Sequence, residues 1–104
     1  MLQHFELHVL LAMLRERRET YSVPLVLALE QRLGKTVSQA AVFIALRRLE
    51  AKGLVTSRMD EHDSGRTRRY FRLTKTGVAA IRAQRDADQR LWHGVDDLLN
   101  PARR

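Results

Sequence analysis

The segment from Ser38 to Leu73 has the pattern of a helix, a stop, a strand, a basic turn and a returning strand. Ser38 is typical of a helix N-cap, and Gly53 is typical of the residue just beyond a helix C-terminus. Apolar residues recur between these ends at helical spacing and predict a buried stripe. They are Val42, Leu46 and Leu49. Residues 54–56 predict the start of one strand, and residues 64–73 predict a turn and a second strand. This order is typical of a winged helix-turn-helix, with the helix in the DNA major groove and the hairpin on the neighbouring backbone.

Three further helices are predicted around this segment. The first runs from Phe5 to about Arg17 and carries two apolar rows, which indicates contacts on more than one side. Ser22 is expected to cap a second helix, which ends at Gly34. Thr74 is expected to begin a fourth helix that runs to about Leu99. The predicted fold class is mainly α with a small β-hairpin, divided into a winged helix-turn-helix over residues 1–73 and a C-terminal dimerisation helix over residues 74–100.

The charge of the chain indicates a polyanionic partner. The net charge is +7, from 19 basic and 12 acidic residues, and residues 47–72 alone contribute +4 from eight basic and four acidic side chains. The absence of cysteine excludes disulfides and thiolate zinc sites. Polar residues interrupt the N-terminal apolar stretch, and no apolar run reaches membrane-spanning length. A cytoplasmic protein without a membrane partner is therefore expected.

The last predicted helix carries more apolar surface than a small domain can cover. The distal residues that need another surface are Leu91, Trp92, Val95, Leu98 and Leu99. A second copy of the chain is the simplest source of such a surface, so these residues predict a homodimer interface. A helix that folds back on its own domain, or a frayed helix end, is the alternative.

The start of the helix after Ser38 is the predicted base-reading site. Ser38, Gln39 and Ala40 lie where side chains enter the groove and backbone amides face phosphate. Gln39 is the best base reader among them, because a glutamine amide can bond both N6 and N7 of adenine. Arg47 lies opposite the apolar stripe and is a predicted DNA contact, while Arg48 flanks it. For either arginine, a solvated surface position is the alternative.

The predicted returning strand is rich in arginine. Strand alternation puts Arg66, Arg68 and Arg72 on one face and Arg69 with Phe71 on the other. We expect Phe71 to pack inward and Arg66, Arg68 and Arg69 to contact DNA. The alternative for each arginine is a solvated strand edge that resists aggregation.

The sequence shows no catalytic pattern. It contains no evident paired carboxylates, Ser/His/Asp arrangement or glycine-rich phosphate loop, so we expect no enzymatic activity and no cofactor. His4 and His8 have a spacing that can bind a metal, but no third ligand is evident. Exposed histidines without a metal are therefore expected.

Two blocks carry a family resemblance. Residues 46–55 read LRRLEAKGLV and residues 68–77 read RRYFRLTKTG. They match the patterns L-x-R-L-E-x-x-G-L-[IV] and R-x-Y-Y-x-L-T-x-x-G of the PadR family of bacterial transcriptional regulators. The chain, from roughly Leu7 to Leu99, resembles the small subgroup of this family that has one C-terminal helix.

The resemblance implies a dimeric transcriptional regulator, expected to be a ligand-responsive repressor that binds double-stranded DNA. A frequent backbone-contacting tyrosine of the family aligns with Phe43, which keeps the ring and lacks the hydroxyl. In some multidrug-sensing members a tryptophan pair stacks on drugs at the dimer interface, so Trp92 is a candidate contact for a small aromatic effector. Trp92 as a packing residue between subunits is the alternative. A winged-helix protein-interaction module without DNA binding is the alternative function.

Overall fold

The computed structural model describes residues 2–16, 19–61, 67–100 and 102. The described chain forms helices and one antiparallel hairpin, which confirms the predicted fold class. The elements are α1 (His4–Glu16), α2 (Ser22–Leu33), α3 (Gln39–Ala51), β1 (Val55–Glu61), β2 (Thr67–Leu73), α4 (Lys75–Trp92) and α5 (Val95–Leu99).

The core lies where α1, α2 and α3 pack against one another. Each helix contributes the apolar residues that recur along one of its faces, as helical periodicity requires. The fully buried aliphatic side chains are Val9, Leu10, Leu25, Val42, Leu46 and Leu49. Phe71 of β2 closes the core from the hairpin side and is 1% exposed, so the prediction that it packs inward is confirmed.

The hairpin, hereafter the wing, is attached to the helices through its second strand. β1 pairs with β2 in antiparallel register from Val55 opposite Leu73 to Glu61 opposite Thr67. On the other side of β2, Thr20 and Phe71 exchange two backbone hydrogen bonds, with N···O distances of 3.0 and 2.7 Å. The connection between α1 and α2 therefore holds the base of the wing against the helical body.

The helix ends follow local chemistry, with one difference from expectation. Ser38 caps α3 by accepting a hydrogen bond from the backbone N–H of Ala41 at 3.2 Å, and Gly53 adopts a left-handed conformation after the helix. Ser22, however, is the first residue of α2 rather than its cap. Tyr21 takes the cap position without a side-chain cap bond, which leaves the Ser22 hydroxyl available to another helix.

The expectation of one C-terminal helix as far as Leu99 was wrong. α4 ends at Trp92, His93 leaves helical geometry, and Gly94 takes a left-handed conformation with φ of +80° before α5 begins. A left-handed residue ends the helical hydrogen-bond ladder, and glycine adopts this conformation without a Cβ penalty. The distal apolar residues are therefore divided between two helices.

Candidate nucleic-acid interface

α3 has one buried face and one face that points away from the body. Val42, Ala45, Leu46 and Leu49 form the buried face. The opposite face forms an outward row of Ala40, Ile44 and Arg47, spaced four and three residues apart, and all three are exposed. This row and the N-terminus of α3 are the parts of the helix that a groove-binding partner can reach.

The predicted base reader, Gln39, is held by a second helix. Its Nε2 donates a hydrogen bond to the Ser22 hydroxyl at 3.1 Å, although the two residues are 17 positions apart. Ser22 and Gln39 are each the first residue of a helix, so this bond ties the N-termini of α2 and α3 together. The Gln39 carbonyl oxygen and its second N–H remain for a ligand.

The two other predicted contacts on α3 have partners on its flank. The Arg47 guanidinium lies 3.5 Å from Glu50, and half of the Arg47 side chain is exposed. The Phe43 ring meets Phe71 edge-on, with ring centroids 6.1 Å apart, and Phe43 is 39% exposed. Phe43 therefore connects α3 to the wing.

Arginines and tyrosines alternate along the outer side of the wing. The Arg68 guanidinium lies 3.9 Å from the centroid of the Tyr21 ring, Tyr21 meets Tyr70 edge-on at 5.7 Å, and Arg58 lies 5.2 Å from the centroid of Tyr70. Cation–π contacts of this kind hold an arginine without neutralising its charge. Arg68 is thus positioned at the α2 side of the wing and keeps its full charge for a polyanion.

Arg69 lies on the inner face of the wing, half-buried, and donates a hydrogen bond to the Ser57 hydroxyl at 2.9 Å. Ser57 in turn donates to Glu50, which is also the partner of Arg47. One carboxylate thus joins the wing to α3. Arg66, the remaining predicted contact of the wing, lies outside the described residues.

Sequence reasoning missed the ion pair that braces the wing. Arg58 donates two hydrogen bonds to the carboxylate of Glu19, at 2.8 and 2.7 Å, and also lies 3.2 Å from Asp60. The bond from Arg58 holds the pKa of Glu19 below its ordinary value, and the same carboxylate raises the pKa of Arg58. Arg58 and Glu19 are 39 positions apart, so no local sequence pattern predicts this ion pair.

A second missed pair lies at the far end of α3. The Glu6 carboxyl is buried, and its Oε1 accepts hydrogen bonds from the Lys52 ammonium at 2.6 Å and from the backbone N–H of Gln3 at 3.0 Å. Burial acts to raise the pKa of Glu6, but the bonds from Gln3 and Lys52 lower it below its ordinary value. The pair fixes the N-terminus of α1 to the C-terminal end of α3.

The distal apolar residues of the predicted dimer interface are exposed on the isolated chain. Leu91, Trp92, Leu98 and Leu99 are 76%, 58%, 70% and 62% exposed, and Val95 is half-buried. Trp92 also lies at one end of a groove of about 440 Å³ between α1 and α4. The apolar lining of this groove comes from Leu7, Leu11, Ile81 and Trp92.

The described ranges contain neither a metal-binding cluster nor a membrane-spanning helix. No group of three or more His, Asp or Glu side chains there is arranged to hold a metal ion. None of the helices in the described part of the chain combines the length and apolar character of a membrane span.

The arrangement of α2, α3 and the wing defines a winged helix-turn-helix protein. Residues 10–83 match the model of the transcriptional regulator PadR-like family, and the chain belongs to this family. It is therefore a transcriptional regulator and not an enzyme. None of the curated protein sequences compared with this chain matches it significantly.

Solved structures of family members agree with this assignment. A PadR family transcriptional regulator from Eggerthella lenta is 30% identical, with a TM-score of 0.72, and the alignment covers 91% of this chain and 87% of that one. A PadR-like transcriptional regulator from Bacillus cereus shares the fold at 20% identity, with a TM-score of 0.71 and coverage of 91% and 90%. Bacillus subtilis PadR, solved in complex with operator DNA, shares the fold at 14% identity, with a TM-score of 0.69 and coverage of 79% of this chain and 46% of that chain.

Proposed function

We propose that this chain is a cytoplasmic, homodimeric repressor that binds double-stranded DNA and releases it in response to a small aromatic ligand. The proposal of DNA binding rests on one observation: the N-terminus of α3 is exposed together with a basic wing. Ser38, Gln39 and Ala40 open α3, and all three are exposed. Arg68 beside Tyr21 supplies a charge that no carboxylate neutralises among the described contacts. A helix with free amides and a flanking cation fits a groove and its phosphates.

The roles within the interface differ. Gln39 is the base reader, while Ser38 and Ala40 have small side chains that let the start of α3 enter the groove with its backbone amides facing phosphate. Arg47, Arg68 and Arg69 supply phosphate contacts, and Arg66, which lies outside the described residues, is proposed to do the same. Phe43 contributes the edge of its ring beside the sugar-phosphate backbone. Bacillus subtilis PadR, which binds operator DNA, supports this use of the fold.

A salt titration tests DNA binding directly. Each phosphate contact that is lost reduces the slope of log affinity against log salt by about one, so Arg68→Ala is expected to reduce the slope by that amount on any duplex. Gln39→Ala is expected to change sequence preference, by roughly 1–3 kcal/mol if it reads a base with two bonds. A wild-type protein that binds no duplex DNA at low salt would favour a protein-interaction module instead.

The dimer is proposed from the apolar surface that one copy leaves uncovered. Leu91, Trp92, Leu98 and Leu99 expose more than half of their surface, and Leu11 of α1 is also exposed. Large exposed apolar patches mark interaction sites. Residues 1–73 then form the DNA-binding unit, and residues 74–100 form the dimerisation segment, with α1 shared between them. A wild-type protein that sediments as a monomer at micromolar concentration would refute the dimer.

The effector site is proposed in the groove between α1 and α4. Its volume of about 440 Å³ lies in the range of small-molecule sites, and Trp92 offers a flat aromatic wall. Two recognition helices must lie roughly 34–36 Å apart to enter successive major grooves. A ligand that prefers another spacing shifts the dimer away from DNA. Planar aromatic cations and phenols are expected to quench Trp92 fluorescence and release DNA. If neither signal changes across such a panel, Trp92 is only a packing residue.

A further inference from the structure

The outward row of α3 contains an apolar side chain that the fold does not use. Ile44 lies in the middle of this row and is 51% exposed. Among the described residues it is not part of the hydrophobic core cluster, in contrast to its helix neighbours Ala45 and Leu46. Ala40, one turn earlier on the same row, is also exposed and presents only a methyl group.

The charges around Ile44 indicate what covers it. Arg47, which also pairs with Glu50, follows it on the outward row, and Arg48 flanks the row; both arginines are exposed. An apolar group set among cations suits the floor of a DNA major groove better than an uncharged protein surface. The phosphates attract the arginines while the side chain between them meets base edges.

The base edges of the major groove differ in what they offer an aliphatic side chain. Thymine carries a C5 methyl group there, whereas guanine offers acceptors and cytosine offers a donor. Ile44 has no group that can bond those acceptors or that donor. Pressing it against a G·C pair would remove water from polar atoms without replacing their hydrogen bonds, which is unfavourable. Contact with a thymine methyl instead buries apolar surface on both sides.

We infer that Ile44, with Ala40 beside it, reads thymine methyl groups, so that the operator half-site has thymine beneath the middle of α3. This inference rests on the proposed DNA-binding function and names the bases that the same site prefers. Gln39 reads a neighbouring adenine from the start of the helix, where Ser22 holds its amide at 3.1 Å. The recognition helix is therefore built for A·T pairs at adjacent positions.

Replacement of thymine by deoxyuridine tests this inference without altering the protein fold. The probes are duplexes selected by the full-length protein from a randomised duplex library, remade with each thymine replaced in turn. Deoxyuridine keeps the pairing edge and removes only the methyl group. At least one replacement in the half-site is expected to weaken wild-type binding about fourfold, the equivalent of one buried methyl-sized group.

The variant Ile44→Ala removes the protein side of the proposed methyl contact and so tests it independently of the DNA change. It is expected to bind the thymine duplex more weakly and to lose most of its discrimination between thymine and deoxyuridine at that position. Leu27→Ala is the matched control, because Leu27 is an aliphatic residue of α2 that is 62% exposed and outside the outward row. It is expected to keep the wild-type discrimination.

The possible outcomes distinguish failure of the thymine-methyl reading from failure of the proposed DNA binding. If the wild type binds duplex DNA with the expected salt dependence but tolerates deoxyuridine at every thymine, the methyl reading is overturned and DNA binding stands. The same holds if Ile44→Ala discriminates as well as the wild type. If no duplex is bound at any salt concentration, both the inference and the proposed function fall, and the row around Ile44 is then a surface for a protein partner.

Discussion

Replacing Gly77 with alanine separates two physical effects of opposite sign. Gly77 lies in the first turn of α4 and is buried. Within a helix, alanine is favoured over glycine by about 1 kcal/mol, so helix propensity alone predicts a stabilised protein. A Cβ built on Gly77, however, would lie 2.2 Å from the backbone carbonyl oxygen of Leu54 and 2.7 Å from Cδ1 of Leu73.

The steric effect is the larger of the two. Ordinary contacts to a Cβ begin near 3.4 Å, so α4 would have to move by about 1 Å from the start of β1. The carbonyl of Leu54 cannot swing aside, because it accepts hydrogen bonds from the backbone N–H and the hydroxyl of Thr74, at 3.1 and 3.0 Å. Overpacking of this kind costs typically about 1–3 kcal/mol. With the upper figure and the propensity gain, the variant is expected to be less stable by about 2 kcal/mol.

Thermal unfolding at one fixed protein concentration measures this difference. A loss of about 2 kcal/mol corresponds to a decrease in Tm of roughly 8–16 °C for a domain near this size. Ala79→Gly, at an exposed position in the same helix, calibrates the propensity effect and is expected to cost about 1 kcal/mol. A Gly77→Ala variant with an unchanged or higher Tm would refute the close approach of α4 to β1.

Three further predictions address the acid limit of stability, the dimer and the wing. Because the pKa of Glu6 is lowered in the folded protein, its carboxylate stabilises the fold above the unfolded pKa of about 4.3, and this stabilisation is lost as the pH falls through the folded pKa. Glu6→Gln should therefore flatten the pH dependence of the free energy of unfolding below about pH 4.3. Truncation after Ala83 should give a monomer or an insoluble product in sedimentation, whereas a soluble dimer would exclude the distal apolar residues from the interface. Tyr21→Ala should weaken DNA binding less than Arg68→Ala and leave the salt slope unchanged, because it removes the ring that supports the Arg68 guanidinium but keeps the charge. If Tyr21→Ala reduced the salt slope as much as Arg68→Ala does, Arg68 would need the ring to reach phosphate.

The sequence predicted those features that local chemistry determines. The limits of α3 follow from Ser38 and Gly53, whose cap bond and left-handed backbone are both found. The inward position of Phe71 follows from strand alternation. The break at Gly94 was missed because a glycine inside an apolar helical pattern costs only about 1 kcal/mol, which does not by itself end a helix.

Long-range side-chain contacts were beyond local patterns. The bonds from Arg58 to Glu19 and from Gln39 to Ser22 join residues 39 and 17 positions apart. Each depends on how the wing or α3 packs against the start of α2, and packing is not encoded in the spacing of charges. For the same reason, the sequence shows how many basic residues the wing has but not which partner each of them contacts. Arg58 is paired with carboxylates, whereas Arg68 rests on a ring.

Glu50 places a carboxylate inside the proposed DNA interface, where it competes with phosphate for Arg47. Its carboxylate is the partner of Arg47 and accepts from Ser57, which in turn accepts from Arg69. A phosphate that binds Arg47 competes with this carboxylate for the guanidinium charge, so weakening of the existing ion pair offsets part of the attraction between Arg47 and DNA. Sequence-independent binding is weakened at every site alike, while the base contacts of Gln39 and Ile44 are untouched. In the proposed complex, the ratio of specific to non-specific affinity therefore stays the same, while base contacts supply a larger share of a smaller total binding free energy, so Glu50 makes the bound protein easier to release from DNA.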